Sequence, residues 1–175
     1  MIRSYVFMRQ MGLFVVKWKG IKYFMWEAFF IGDIQFKKIL VPVDGSDESK
    51  RAFQHALYLA KLTNAQLTLL HVIDLNRRMS MLERSLSLGL SSKELKEPGY
   101  QLLAQYTEQV PEETVLDTIV QLGAPADVIV EQVADGAYDL IVMGSRGLGA
   151  LQDFVIGGVS HYVLHHSKVP VLVVR

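Results

Sequence analysis

Glycines mark the stretch of this chain whose residue types could do chemistry, residues 142–160. An apolar segment at 140–143 runs into Gly144-Ser145-Arg146-Gly147, and after nine further residues Gly157-Gly158 opens what reads as a helix. Glycine lets a backbone approach a ligand closely, and a helix start offers unpaired N–H groups at the positive end of its dipole. Two such turns at the carboxyl end of a parallel strand form a cradle for phosphates, so nucleotide binding is the leading reading. Arg146 and Ser160 are the side chains in this stretch with groups suited to a phosphate, although each residue type is equally at home in a ligand-free loop or first helical turn.

Competing chemistries lack their parts. His161, His165 and His166 share a helical stretch, but no His-Glu-x-x-His pattern or neighbouring acidic cluster completes a metal site. No Gly-x-Ser-x-Gly turn presents a nucleophile, and no Gly-Lys-Ser/Thr ends the glycine loop. Without that lysine or an evident metal-binding carboxylate, fast phosphoryl transfer is not expected, and no catalytic residue is assigned. Cysteine is absent, which excludes disulfides and thiolate sites and is compatible with a cytoplasmic location. A net charge of +0 gives no sign of a nucleic-acid track.

The elements that would carry the glycines alternate strand and helix from residue 36 onward. Strands are expected at 38–43, 67–73, 115–122, 140–143 and 169–174, each rich in apolar residues as in a sheet covered on both faces. Ser46 reads as the N-cap of a first helix with Asp47 and Glu48 in its first turn. Residues 74–97 show weak periodicity and read as a loop with a partial helix. Pro98 and Gly99 lead into a helix ending before Pro111, Pro125 suits the first turn of another, and 159–166 forms the last. This order predicts an α/β fold: a doubly wound, five-stranded parallel sheet with helices on both faces. Ligands in such sheets bind beyond the carboxyl ends of strands where strand order reverses. Asp44 and Gly144 both belong at that edge.

Residues 1–35 differ in character, holding nine of the 17 aromatic residues and four of the seven methionines. The longest uncharged run, 10–16, is too short for a membrane span of about 20 residues. Phe7, Met11, Phe14, Trp18, Ile21, Met25 and Phe29 fall at helical spacing, while 13–18 and 21–26 read equally as two strands around Lys19-Gly20. The segment is taken as an extension of uncertain order, with contact to a membrane surface or a partner as its sharper alternative. Residues 36–175 are taken as one domain.

Three segments resemble the universal stress protein family: Lys38-Ile-Leu-Val-Pro-Val-Asp-Gly-Ser46; Leu69-Leu-His-Val-Ile-Asp74; and Asp139-Leu-Ile-Val-Met-Gly-Ser-Arg-Gly147, continuing through Val159-Ser-His-Tyr-Val163 to Pro170-Val-Leu-Val-Val174. The resemblance implies a Rossmann-like fold similar to the adenine nucleotide alpha hydrolases and, in the family's ATP-binding branch, the pattern Gly-x2-Gly-x9-Gly followed by Ser or Thr. Gly144, Gly147 and Gly157 match, but Gly158 stands where Ser or Thr belongs. Carried over by residue, it implies that Asp44 and the Val72 backbone hold base and ribose, with Pro42 and Val43 lining that pocket. Met143, Gly144, Arg146 and Gly147 would approach ribose and phosphates, and Gly157, Gly158, Val159 and Ser160 would cradle the phosphates.

The expectation is therefore a cytoplasmic, stress-associated protein that binds ATP, with or without Mg2+, and acts on a protein partner. The alternative is a dimeric interaction protein of the same fold that binds no nucleotide. An adenine-nucleotide enzyme of related architecture would carry Ser-Gly-Gly-x-Asp-Ser after the first strand, whereas Val43 leads here to Asp44-Gly45-Ser46-Asp47. The last strand, 169–174, is apolar and ends the chain, so it is expected at the sheet edge, pairing two copies into a homodimer. The resemblance implies the same arrangement.

Overall fold

The computed structural model describes residues 5–7, 13–16, 36–74, 89, 91–148 and 156–175. Within them the chain forms β1 (Tyr5–Phe7), β2 (Leu13–Val16), β3 (Lys38–Pro42), α1 (Asp47–Thr63), β4 (Gln66–Asp74), α2 (Ser92–Thr107), β5 (Leu116–Gly123), α3 (Pro125–Gly136), β6 (Leu140–Gly144), α4 (Gly158–His166) and β7 (Val171–Val174). All strands lie in one sheet of order β1-β2-β7-β6-β3-β4-β5. The five strands from β3 to β7 run parallel, as expected, with β3 beside both β4 and β6. The strand order reverses between β3 and β6, which opens a crevice at their carboxyl ends.

Strand alternation distributes the core over both faces. Ile39 and Val41 of β3 and Leu67 and Leu69 of β4 pack with Ala52, Phe53, Ala56 and Ala60 of α1 and Leu103 and Tyr106 of α2. Leu40, Leu70 and Ile141 point the other way, onto Val128, Ile129 and Val133 of α3 and Val163 and Leu164 of α4. The small residues Ala52, Ala56 and Ala60 bring α1 close to the sheet, and all three are buried.

Local signals end the helices where the chain turns. Ser46 caps α1 by accepting from the Ser49 N–H, and Asn64 closes it in the left-handed conformation. Pro125 occupies the first turn of α3, where its missing N–H costs nothing. Helix α2 starts earlier than Pro98 suggests. Ser91 and Glu94 form a reciprocal capping box, and the helix runs through Pro98 to Thr107. The two Ser91 hydrogen bonds hold the Glu94 carboxyl below its ordinary pKa.

One expectation is overturned. β7 is not an edge strand: β2 of the extension pairs with it antiparallel, matching Leu13 with Val174 and Val16 with Val171. The unsatisfied backbone groups of an edge strand recruit any compatible strand, and the chain's own residues 13–16 supply one. The strand reading of that segment therefore replaces the helical stripe there, while the strand expected at 21–26 lies outside the described residues.

Candidate functional site

A cavity of about 490 Å³ opens at the carboxyl ends of β3, β4 and β6. That size suits a small-molecule ligand, whose sites span roughly 300–1,000 Å³. Every residue expected at the site borders it: Pro42, Val43 and Asp44 after β3; Val72 on β4; Met143, Gly144, Arg146 and Gly147 after β6; and Gly157, Gly158, Val159 and Ser160 at the start of α4. His71, Asp74, Pro125, Ile129 and Leu148 also line it and were not singled out by sequence. Pro125 and Ile129 come from α3, which only the folded crossover brings over the crevice. Leu148 takes part through its backbone, which no side-chain pattern announces. His71 sits within the apolar β4 run, where strand alternation was its one signal, and its Nδ1 is 2.8 Å from the Val43 carbonyl.

Asp44 is the hub of this arrangement. One carboxylate oxygen accepts from the Ser46 backbone at 3.1 Å and from the Ser46 hydroxyl at 2.6 Å. The other accepts from the Leu148 N–H at 2.9 Å, which ties the turn after β3 to the glycine loop after β6. Gly147 permits this tie, because a Cβ there would collide with that same oxygen. Gly144 is required for a different reason. Its Cβ would lie 2.8 Å from the Glu48 Cβ and 2.9 Å from the Glu48 carbonyl carbon, so bare backbone lets α1 seat against β6.

A buried polar network stands behind Asp44. The Ser49 hydroxyl donates to the Ser46 carbonyl at 2.9 Å and accepts from the Asp44 N–H at 3.4 Å. With its one proton spent, it accepts from the Tyr106 hydroxyl 3.1 Å away. Tyr106 is itself braced edge-on against Phe53, with ring centroids 5.2 Å apart. Tyr106→Phe is expected to lower stability by about 0.5–1.5 kcal/mol, the worth of one internal hydrogen bond. Chemical denaturation checks this, and an unchanged unfolding midpoint would contradict the network.

The start of α4 supplies the donors. The first intrahelical bond after the Gly157 N-cap runs from the His161 N–H to the Gly157 carbonyl, so the amides of Gly158, Val159 and Ser160 precede it in the first turn. Gly157 donates its own N–H to the Ser145 carbonyl at 2.7 Å, which anchors this turn to the end of β6. The Ser160 hydroxyl is a correction to expectation: it donates to the Gly144 carbonyl at 2.8 Å. The third position of the helix turns this side chain back onto β6, leaving its backbone amide in the first turn of α4. Arg146 lies 3.8 Å from Glu48, which also pairs with Arg51 at 3.2 Å. Its guanidinium is thus drawn toward α1. A Cβ at Gly158 would meet nothing within 4 Å, so glycine is not sterically demanded there.

Helix α4 is held on its far side as well. The Tyr162 phenol is held above its ordinary pKa by Asp127 of α3, first through its hydrogen bond to the carboxylate and then through the carboxylate's charge. His161 and His165 lie against each other with centroids 4.3 Å apart and ring planes tilted by 33°, and Tyr162 stacks on His166 at 4.0 Å. Among the described residues no group of three or more side chains could hold a metal ion, and no helix is long and apolar enough to cross a membrane.

The family model described as the universal stress protein family matches residues 35–175. The chain belongs to that family. Among its relatives, a universal stress protein of Bacillus subtilis is 36% identical over 151 residues, covering 80% of this chain and 99% of the relative. One from Methanocaldococcus jannaschii is 35% identical over 145 residues, covering 82% and 85%. The solved universal stress protein from Lactobacillus plantarum superimposes with a TM-score of 0.63 at 28% identity, over 81% of this chain and 99% of that one. Two further family structures hold adenine nucleotides. A universal stress protein in complex with cAMP has a TM-score of 0.58 at 26% identity, over 81% and 98% of the two chains. A family protein from Arabidopsis thaliana with AMP bound has a TM-score of 0.55 at 25% identity, over 79% and 90%.

Proposed function

We propose that this universal stress protein is a cytoplasmic adenine-nucleotide-binding protein that takes ATP, with or without magnesium, in the crevice between the Asp44 turn and the α4 start. It works by binding rather than by catalysis. The observation that carries the reading is the convergence of both glycine turns, the amides of Gly158 to Ser160 and the Asp44 carboxylate on one cavity of about 490 Å³. The residues fit the ligand by chemistry. Backbone donors at a helix start suit phosphates, a carboxylate suits ribose hydroxyls, and apolar Pro42, Val43, Ile129 and Met143 suit a purine face. The family structures holding cAMP and AMP support the adenine assignment. Occupancy changes the surface around Leu148, which is 73% exposed, and a protein partner reads that change.

A second reading is favoured by a specific observation. Gly158 removes the hydroxyl of the family pattern, and the Ser160 hydroxyl is already spent on Gly144. In that reading the chain is an interaction module that has left nucleotides behind. A hydrogen bond to a charged group contributes roughly 1.5–3 kcal/mol, so the missing hydroxyl weakens ATP binding about ten- to a hundredfold without abolishing it. Calorimetric titration of ATP with magnesium into the full chain tests this beside Gly158→Ser, which has open space for its side chain. Binding by the parent, tightened about ten- to a hundredfold by serine, is the expected result. Binding by the variant alone would favour the interaction module, and heat from neither protein would contradict the nucleotide reading.

A further inference from the structure

Strand β4 outruns its neighbour β3, and a histidine side chain marks the place where their pairing stops. Gln66 donates to the Lys37 carbonyl at 2.8 Å and Val43 to the Leu70 carbonyl at 2.9 Å, so the even-numbered residues of β4 turn their backbone groups toward β3. Leu67 donates to the Val115 carbonyl at 2.9 Å, just before β5, which sends the odd-numbered residues the other way. Continued in steps of two, the ladder would deliver the Val72 N–H to the Val43 carbonyl. It ends at the Pro42–Leu70 pair instead. The Val43 carbonyl is taken by the His71 side chain, whose Nδ1 lies 2.8 Å away. A carbonyl only accepts, so Nδ1 carries the proton.

The surroundings hold the ring in that place. Strand alternation puts His71 on the same face as Leu69 and Ile73, which pack in the layer of α1 and α2. A Cβ on Gly99 of α2 would lie 3.0 Å from the His71 Cδ2, so the bare backbone of the helix leaves the imidazole its room. Beyond Val43 the chain turns away: Asp44 accepts from the Ser46 amide, and Gly45 adopts a φ of +88°. Among the described residues, Val72 is thereby left without a β3 partner, its N–H and C=O directed to the side where it borders the crevice. A donor and an acceptor on one strand edge match adenine, which offers an amino group beside a ring-nitrogen acceptor. They oppose guanine, which offers a carbonyl beside a ring N–H.

We infer, resting on the nucleotide reading above, that His71 is a positioning residue for base selection: by holding the Val43 carbonyl it keeps the β3–β4 ladder from closing over Val72, whose open backbone edge then selects adenine over guanine. The imidazole acts through the strand and needs no contact with the ligand.

The test sets the full chain beside His71→Leu, which removes the donor, and His71→Asn, whose amide nitrogen stands as many bonds from the backbone as Nδ1. Calorimetry with ATP and with GTP, each with magnesium, reads selection, and amide exchange in the ligand-free proteins reads the ladder. In the parent, Val72 is expected to exchange faster than Leu70, and ATP to bind at least about tenfold tighter than GTP. In His71→Leu the Val72 amide is expected to slow toward Leu70 as it pairs with Val43, while ATP affinity falls about tenfold and GTP affinity holds. His71→Asn is expected to restore both readouts. Val72 exchanging as slowly as Leu70 in the parent would overturn the open edge. Equal losses for ATP and GTP in His71→Leu, or no loss for either, would overturn the role in selection. No ATP binding by a parent whose Val72 exchanges fast, and slows in His71→Leu, would refute the nucleotide reading while upholding the hold of His71 on the ladder. Should His71→Leu lose protection at Ile39 and Leu69 in the core, His71→Phe keeps a ring without the donor and carries the same readouts.

Discussion

Gly144→Val is expected to lose both fold stability and the nucleotide site. The position looks like a ligand contact in sequence, yet its first consequence is structural. A Cβ would press on the Cβ and backbone of Glu48 and lie 3.0 Å from the Arg146 carbonyl, and no flexible side-chain end among those atoms can swing away. Forcing extra atoms into such packing costs typically about 1–3 kcal/mol, occasionally more, as backbones shift apart. Alanine brings the lower part of that range and branched valine the upper part. Because α1 begins at Asp47, three residues beyond Asp44, its displacement also moves the Ser46 cap and the carboxylate it orients. Chemical denaturation should show the loss, with ATP affinity falling in parallel. A Gly144→Val protein with an unchanged unfolding midpoint would mean that α1 does not need bare backbone on β6.

Asp44→Ala is expected to have the second large effect, and here the site suffers more than the fold. The carboxylate accepts from three donors: the Ser46 amide, the Ser46 hydroxyl and the Leu148 amide. Hydrogen bonds to a charged acceptor contribute roughly 1.5–3 kcal/mol each, though not additively within one network. Removing the carboxylate frees Leu148, unties the glycine loop from the β3 turn and takes away the acceptor proposed for the ribose. A loss of ATP affinity on the order of a hundredfold follows if about two such bonds are forfeited in the complex. In the ligand-free protein, amide exchange at Leu148 should accelerate relative to the parent while Ile39 and Leu69 keep their protection. Unaltered exchange at Leu148 would show that the loop is held by other contacts, and unaltered affinity would remove Asp44 from the site.

These residues also show what the amino-acid sequence could and could not reveal. The five parallel strands were legible because continuous apolar runs such as residues 67–73 mark strands buried on both faces. The α1 cap and the Pro125 turn were legible because their signals lie within a few residues of each other. Gly144 was legible as a glycine that matters, but its reason was not, since the clash partner Glu48 lies on another element. Leu148 and Tyr106 were silent for the same cause: one acts through its amide on Asp44, the other through Ser49. The Ser160 hydroxyl was assigned outward because spacing along a helix does not say which side faces the sheet.

The greatest departure concerns the chain's ends. Residues 169–174 were read as an edge because they come last, yet sheet position follows pairing rather than sequence order, and β2 reaches that edge from the other terminus. Residues 13–18 could be read as a strand, but nothing in their local pattern names a partner more than a hundred residues away.

The most direct measurement is an ATP titration of the full chain followed residue by residue through backbone amide chemical shifts. The account predicts saturable changes at Gly144, Gly147 and Leu148, at the amides of Gly157 to Ser160 and at Val72, with β5 and the exposed face of α2 unmoved. No saturable change at the α4 start, or changes confined to a different surface, would contradict the assignment of this crevice to an adenine nucleotide.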